Sequence, residues 1–368
     1  MNSLGFNKKK ENTRVIVAMS GGVDSSVALV KILEMGYEAI GITLKLWENI
    51  DKKTNKVIDS DCNSLDAVNG AKLVCDRLGV HHYTLDFIDL FKTEVVNNFS
   101  NEYFSGRTPN PCIRCNSLVK WDALINQLDV FDADMIATGH YARIKKCSEK
   151  YQLHKGLDQT KDQSYMMWQI EQKFLEKTLL PLGELSKKEV REIALDYKLI
   201  NANRDESMDL CFVVDNDYKQ FLAEFVPEKV ANISNGEIVD EEGNKVGKHS
   251  GFTNYTIGQR KGLGLSFPEP RYVKKIVPNE NKIIISKKNK LFSEKCYVSN
   301  LNYLEKISFP FKCKTRIRYN SVGVNAILNN NKNKISCEFE EPQLAVTPGQ
   351  SIVFYIEDTV YGGGIIEK

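Results

Sequence analysis

The stretch from Arg14 to Met35 constrains the fold more than any other. The run Arg14 to Met19 (RVIVAM) is apolar and β-branched and reads as a buried strand. Ser25 to Met35 carries apolar residues at helical spacing and stops at Gly36. Ser20-Gly21-Gly22-Val23-Asp24-Ser25 between them must turn a strand into a helix. Two adjacent glycines let amide N–H groups approach an anion with no Cβ in the way. The positive end of the following helix favours phosphate at the same place. No lysine sits in this turn, so it cannot reach the terminal phosphates of a nucleotide as a Gly-Lys-Ser/Thr loop does. The expected chemistry is retention of a departing pyrophosphate. A tight turn with serine caps and no ligand is the competing reading of the glycine pair taken alone.

Strand and helix alternate through the first half. Glu38 to Leu44 and His82 to Leu85 read as strands, with Asp134 to Thr138 as a further one ending at Gly139-His140. Leu65 to Leu78, closed by Gly79, and Phe87 to Phe104 read as helices. Such alternation predicts a parallel sheet covered on both faces. Ligands of these sheets bind beyond the carboxyl ends of the strands, where the Ser20–Ser25 turn, Leu44 and Gly139 all fall. Ser186-Lys187-Lys188-Glu189 is a capping box opening a helix to Tyr197.

The pattern changes near Cys211. Tyr218 to Phe225 is still helical and ends at Pro227. From Gly236 on, short stretches are separated by Gly, Asn and Pro; Ile283–Ser286, Cys313–Arg318, Val324–Leu328, Ile335–Phe339 and Ile352–Tyr355 read as strands. Thr347-Pro348-Gly349-Gln350 is a turn. The last third is therefore all-β, with a small barrel as the expected form. Asn329 to Lys334 reads as a disordered loop tip and Lys8 to Lys10 as a disordered tail. At 368 residues the chain exceeds one typical core. Two or three domains are expected.

A net charge of +2 provides no global steering toward polyanions, so a nucleic-acid surface has to be local. Lys312, Lys314, Arg316 and Arg318 share one face of a predicted strand, and Gly258 to Gly262 is a basic, glycine-flanked loop. The first residues hold no apolar signal segment and no run has membrane-spanning length, which predicts a cytoplasmic protein. In such a setting the nine cysteines are reactive, metal-binding or buried rather than paired structurally. Cys62, Cys75, Cys147 and Cys313 are expected to be inert. Trp47 and Trp121 are read as packing residues.

The proline-stiffened segment Thr108-Pro109-Asn110-Pro111-Cys112-Ile113-Arg114-Cys115-Asn116 presents two thiols at Cys-x-x-Cys spacing. Arg114 between them and a helix N-terminus after them would lower a thiol pKa. A zinc half-site is the alternative, but no second pair stands at the usual spacing. Cys211, in Asp209-Leu210-Cys211-Phe212-Val213, would pass for a core cysteine on its own.

Taken together, AMSGGVDSS, TPNPCIRCN, ATGHYAR, KDQSYMMW, DLCFV, YTIGQRKGLG and AVTPGQSIVFY resemble the tRNA-specific 2-thiouridylases along essentially the whole chain. The glycine turn by itself resembles the PP-loop of ATP pyrophosphatases. The resemblance implies a PP-loop parallel-sheet domain over 1–215, a small central domain that contacts tRNA over 216–285 and a C-terminal β-barrel over 286–368. It implies ATP-dependent transfer of sulfur to C2 of the tRNA wobble uridine. By motif position Cys115 is the nucleophile and Cys211 carries the persulfide. Ala18, Met19, Ser20, Gly21, Gly22, Val23, Asp24, Ser25, Leu44 and Gly139 contact ATP, with Mg²⁺ expected beside it. Asn110, Pro111 and Cys112 meet the target base; His140, Lys161, Asp162, Gln163, Arg318, Tyr319 and Gln350 touch tRNA. The sulfur comes from a cysteine desulfurase or a relay protein. Either the persulfide attacks C2 directly or Cys115 first releases sulfide from it, and both routes end in a Cys115–Cys211 disulfide.

One departure from the family stands at Cys112, where many members carry Asp. It makes Cys112, Cys115 and Cys211 a candidate ligand set for an iron–sulfur cluster, a second route beside the persulfide. Two other functions share parts of the pattern: a PP-loop ligase or amidotransferase acting on a small molecule, which has no use for Cys115 and Cys211, and a non-enzymatic RNA-binding sulfur relay, which has no use for an intact Ser20–Ser25 turn.

Overall fold

The computed structural model describes residues 4, 6–50, 57–58, 65–204, 210–331 and 334–367. The chain divides into two compact units: Met1–Val95 with Cys112–Val214 and Asp358–Val360, and Val96–Pro111 with Asp215–Glu357 and Tyr361–Lys368. Cys62 lies outside the described residues.

In the first unit β1 (Arg14–Ala18) leads through the glycine turn into α1 (Val23–Glu34). Then come β2 (Glu38–Lys45), α2 (Leu65–Arg77), β3 (His81–Asp86), β4 (Met135–Ala137), a hairpin of β5 (Ala142–Cys147) and β6 (Lys150–Lys155), and β7 (Thr178–Leu179). The sheet order is β3-β2-β1-β4-β7 and every pairing is parallel. β1 is central, so Val15, Ile16 and Val17 are fully buried, which is why its sequence is a continuous apolar run rather than an alternation. α1 and α2 pack on this core together with Val190 and Ala194 of the helix Lys187–Asp196, whose capping box forms as the sequence predicts. The register sets Ala18 against Ile42, so Leu44 lies two residues beyond the end of β1, at the rim where the turn begins.

Helix Ile88–Phe91 continues as a π-turn over Lys92–Val96 before resuming as Asn97–Phe104, where the sequence predicts one uninterrupted helix. α3 is the short helix Pro111–Cys115, α4 the capped helix Lys187–Asp196. The β5–β6 hairpin was not legible: its residues are charged and it carries no long apolar run. Cys147 ends β5 and is exposed, not an inert core residue. The expected lysine tail is also ordered: Lys8 Nζ pairs with Asp134 at 2.7 Å, and Lys10 starts a 3₁₀ turn and lies over the Tyr37 ring.

In the second unit the helix Asn97–Phe104 packs its aromatic face on α5 (Tyr218–Phe225): Phe99 meets Phe221, and Tyr103 stacks on Tyr218 with centroids 4.9 Å apart. A four-stranded sheet follows, built from β8 (Gly236–Val239), β9 (Lys245–His249), β10 (Tyr272–Val277) and β11 (Lys282–Ser286) in the order β9-β8-β11-β10. Next come β12 (Phe292–Tyr303), β13 (Phe311–Arg316), β14 (Val324–Asn331), β15 (Lys334–Leu344), β16 (Ser351–Ile356) and β17 (Thr359–Glu367). Their order is β12-β15-β14-β13-β16-β17, and β17 pairs back with β12, closing a six-stranded barrel. Closure removes the sheet edges. Asn329, Asn330 and Asn331 pair with Ser336, Ile335 and Lys334, so most of the predicted loose tip is strand; residues 332–333 lie outside the described set. No helix among the described residues is long and apolar enough to cross a membrane.

Candidate active site

The glycine turn is fixed by its own serines. Ser25 Oγ accepts from the Ser20 amide at 3.2 Å and donates to the Gly22 carbonyl at 3.0 Å; Ser26 Oγ donates to the same carbonyl. Asn201 Nδ2 donates to the Gly21 carbonyl at 2.9 Å. Gly21 has φ +74°, and a Cβ there would sit 2.3 Å from the Ala67 carbonyl oxygen of α2, so only glycine serves. Gly139 is pressed on the turn from the other side: its Cβ would lie 2.7 Å from the Asp24 carbonyl carbon. The first amides of α1 have no intrahelical acceptor and are the donors an anion would find.

The cation missing from the turn arrives from α4. Lys187 Nζ donates to Asp24 Oδ1 at 2.7 Å, and Tyr141 Oη donates to the same oxygen at 2.7 Å. Arg204 approaches as well, its Nη1 within 4.0 Å of where a Cβ on Gly70 would lie. Sequence reasoning missed Lys187 and Arg204, which stand far from the motif; the capping box that places Lys187 was the available signal.

α3 begins at Pro111, so Cys112 lies at its start and Cys115 at its end; the helix terminus does not follow the second thiol as the sequence reading has it. Cys112 is exposed and Cys115 buried, both as thiols. Burial pushes the Cys115 thiol up to about 11, opposed by the nearby Lys120 charge and reinforced by Cys112. Arg114 is not the cation beside Cys115: its guanidinium is taken by Glu94, through the backbone carbonyl and, at 2.8 Å, the carboxylate. Cys211 is half-buried, and Phe212 after it inserts between Trp47 and Phe91 at 6.2 and 5.7 Å between ring centroids. Both cysteine segments are thus moored on residues 91–94 of one helical stretch. Trp47 and Trp121 pack as expected. Among the described residues no three His, Cys, Asp or Glu side chains converge to hold a metal ion, so the cluster set Cys112, Cys115 and Cys211 is not assembled here.

His140 binds Thr138 through Nδ1 at 2.9 Å and lies against Trp121; burial, aided by Lys120, holds its pKa down at about 3 and the ring neutral. Asp162 is buried and accepts the Gly156 and Ser164 amides, and Gln163 Oε1 accepts the Tyr141 amide, so two of the expected tRNA contacts brace this loop. Lys161, which follows Thr160, is half-buried.

In the second unit the turn Thr347–Gln350 grips the proline loop. Gln350 Nε2 donates to the Thr108 and Pro109 carbonyls at 2.9 and 3.1 Å, and the Thr108 amide donates to the Pro348 carbonyl. Gly349, at φ +90°, comes so close that a Cβ would meet Thr108 backbone at 2.9 Å. Asn110 and Pro111 follow directly on this held segment. Arg107 before it pairs with Glu102 at 2.7 Å and with both oxygens of Glu367. Arg318 Nη2 donates to the Leu344 carbonyl at 3.1 Å, and the Tyr319 carbonyl accepts from Arg316. An open cavity of about 280 Å³ is lined by Thr108, Thr256, Tyr272, Arg318, Thr347 and Gln350 among others. On β13 Lys312 and Lys314 are exposed and Arg316 is half-buried, as the alternation predicts for one face, but the strand ends at Arg316, so Arg318 does not share that face as the sequence reading has it.

Three family profiles match in succession: a tRNA methyl transferase HUP domain over residues 13–215, a tRNA methyl transferase PRC-barrel domain over 219–287 and an aminomethyltransferase beta-barrel domain over 293–366. The first unit is accordingly a HUP-type α/β fold, with its glycine turn at the carboxyl end of the central strand. The chain is 45% identical to the tRNA-specific 2-thiouridylase MnmA of Carboxydothermus hydrogenoformans over 362 residues, 96% of this chain and 98% of the relative. It is 42% identical to that of Acetivibrio thermocellus, covering 96% and 99%, and 43% identical to that of Natranaerobius thermophilus, covering 97% and 98%. The chain belongs to the tRNA-specific 2-thiouridylase family.

Proposed function

We propose that this protein is a tRNA-uridine 2-sulfurtransferase that uses ATP to replace the C2 oxygen of the wobble uridine with sulfur. The observation that carries the reading is that one compact unit holds the glycine turn, Cys115 and Cys211, with the two thiol segments moored on the same helical stretch.

The uracil C2 oxygen attacks the α-phosphorus of ATP, and pyrophosphate departs. The amides of the glycine turn and Lys187 receive its charge. C2 now bears adenylate, which leaves readily as AMP. A persulfide on Cys211 supplies the sulfur. Its terminal sulfur attacks C2 and AMP leaves; Cys115 thiolate then attacks Cys211 Sγ, cleaving the S–S bond. The nucleobase keeps the outer sulfur, and Cys115 and Cys211 are left as a disulfide that an external thiol reductant reopens. In the other order, Cys115 cleaves the persulfide first and free sulfide attacks C2, with the same balance. The sulfur donor is a cysteine desulfurase or a relay protein. Bound with ATP, Mg²⁺ would be held by phosphate oxygens together with Asp24, the carboxylate at the turn. It would neutralise triphosphate charge. Asn110, Pro111 and Cys112 meet the target base; Lys312, Lys314 and the loop Gly258–Gly262 meet the phosphate backbone, so tRNA binding weakens with salt. The setting is the cytoplasm.

Incubating the protein with tRNA, ATP and a cysteine desulfurase, followed by nucleoside mass spectrometry, tests this. 2-Thiouridine should form with the wild type and vanish in C115S and C211S. Thiolation retained in C115S overturns the proposal, and pyrophosphate release that ignores tRNA but answers to an amino acid points to a small-molecule ligase instead.

A further inference from the structure

The helix that carries Cys115 changes its winding immediately after the thiol. Pro111–Cys115 is α-helical and Asn116–Trp121 is a π-turn. In an α-helix, residues five apart stand about 140° apart around the axis. The wider i→i+5 repeat of a π-turn brings them back onto nearly one face. Lys120 stands five residues after Cys115. Its Nζ donates to Asn116 Oδ1 at 3.3 Å. Asn116 Nδ2 is committed to the Met166 carbonyl at 3.0 Å, which orients the amide with its oxygen toward the lysine. Trp121, the next residue, is anchored by its Nε1 donating to Thr178 Oγ1 at 3.0 Å and by His140 against its ring. The π-turn is therefore held at both ends, and Lys120 has a fixed place.

We propose that Lys120 is the positioning residue for the Cys115 thiolate, brought over the sulfur by the π-turn. This rests on the reading of Cys115 as the nucleophile. The electrostatics agree in direction. Among the described residues the groups acting on Cys115 are Lys120, which favours the thiolate, and Cys112, which opposes it once ionised. Arg114, the nearer cation in sequence, is spent on Glu94. His140 feels the same lysine and stays neutral, so it places no second cation beside the thiol. Burial alone makes Cys115 a poor nucleophile, and a fixed ammonium is the device on this face that works against burial.

The test is the pH dependence of Cys115 alkylation by iodoacetamide in the full-length protein, followed on the Cys115 peptide by mass spectrometry. K120Q keeps a donor for Asn116 and removes the charge. Its midpoint should rise by about one unit, read as about tenfold slower alkylation at any pH below it. K120R should restore most of the wild-type rate. K120M, compared after its thermal denaturation has been checked, should match K120Q. An unmoved midpoint in K120Q overturns the proposal, and so does a K120R shifted as far as K120Q, because charge would then not be the cause. The titration uses neither ATP nor tRNA. Absence of thiolation in the wild type would sink the functional reading and leave this result standing, and an unmoved midpoint would leave the C115S result standing.

Discussion

Phe212 meets Phe91 edge-on, with ring centroids 5.7 Å apart and planes at 67°. The contact matters because Cys211 is the residue before Phe212, and Arg114, the residue before Cys115, is bound by Glu94 only three residues from Phe91. A thiol on each segment inherits its position from one short helical stretch. A disulfide between them demands close, specific geometry, so the mooring limits where the two sulfurs can search for each other.

F212A removes a ring that is 1% exposed, at about 3–5 kcal/mol of local packing. The expected result is a Cys211 segment cut loose. Under mild oxidation the Cys115–Cys211 disulfide, quantified by peptide mapping, should form far less than in the wild type. ATP binding should persist, because the glycine turn makes its own hydrogen bonds through Ser20, Ser25 and Ser26. Equal disulfide yields in F212A and the wild type would show that the aromatic mooring does not govern the encounter.

Lys187 lies 163 residues from Asp24 in sequence and 2.7 Å from it in space. An ammonium held at the glycine turn should act on phosphates that AMP does not have. K187M is expected to weaken ATP and pyrophosphate binding about tenfold or more, with AMP affected much less. Calorimetric titration with the three ligands decides it. A parallel loss for all three would make the lysine a brace for Asp24 instead.

What the sequence made legible, and what it hid, follows the range of the interactions. β1, the glycine turn and α1 were readable because an apolar run, two glycines and a helical period are local. The capping box of α4 was readable for the same reason, yet the role of Lys187 inside it was not, since its partner arrives by tertiary packing. Arg114 was read as the cation of the thiols on sequence proximity, but Glu94 claims it and Lys120 acts on Cys115 instead. Helix winding separates those readings, and nothing in the residue types of Asn116–Trp121 announces a π-turn. Cys147 looked like other small buried residues until the hairpin placed it at an exposed end. Barrel strands β13, β14, β15 and β16 were legible from alternation, and a small barrel was the expected form, but β12 and β17, whose pairing closes it, were not read as strands.

Glu367 carries a pH prediction. Burial would raise its carboxyl, and hydrogen bonds from Arg107 and Ser299 together outweigh that, leaving it below the ordinary carboxylate range. A depressed acid stabilises the fold above its unfolded pKa, and the contribution is lost as pH falls through the folded value. The second unit should therefore lose thermal stability on acidification from about pH 5 downward, a range set by the ordinary glutamate pKa. E367Q should be less stable than the wild type at neutral pH, with the gap closing in acid. A gap that stays constant with pH, measured by thermal denaturation of the two proteins side by side, would mean the Arg107 pair makes no titrating contribution.

Gln350 gives the sharpest test of how the proline loop is set. Its amide donates to two backbone carbonyls, Thr108 and Pro109, and a substitution that deletes the donor leaves both without it. Loss of such a pair costs about 1–3 kcal/mol where the acceptors cannot reach water. Gln350→Glu is worse in kind than Gln350→Ala, because a carboxylate then faces two carbonyl oxygens. If the loop Thr108–Pro111 must be held in one shape to take the target base, both variants should raise the apparent KM for tRNA, Gln350→Glu more than Gln350→Ala. The KM for ATP should be unchanged in both. The competing expectation is a direct hydrogen bond from Gln350 to tRNA. In that case Gln350→Glu, whose carboxylate would repel phosphate, loses much of its tRNA defect at high salt, while Gln350→Ala does not. Steady-state thiolation across a salt series separates the two, since repulsion between a carboxylate and backbone carbonyls inside the protein is screened far less than repulsion at an exposed phosphate.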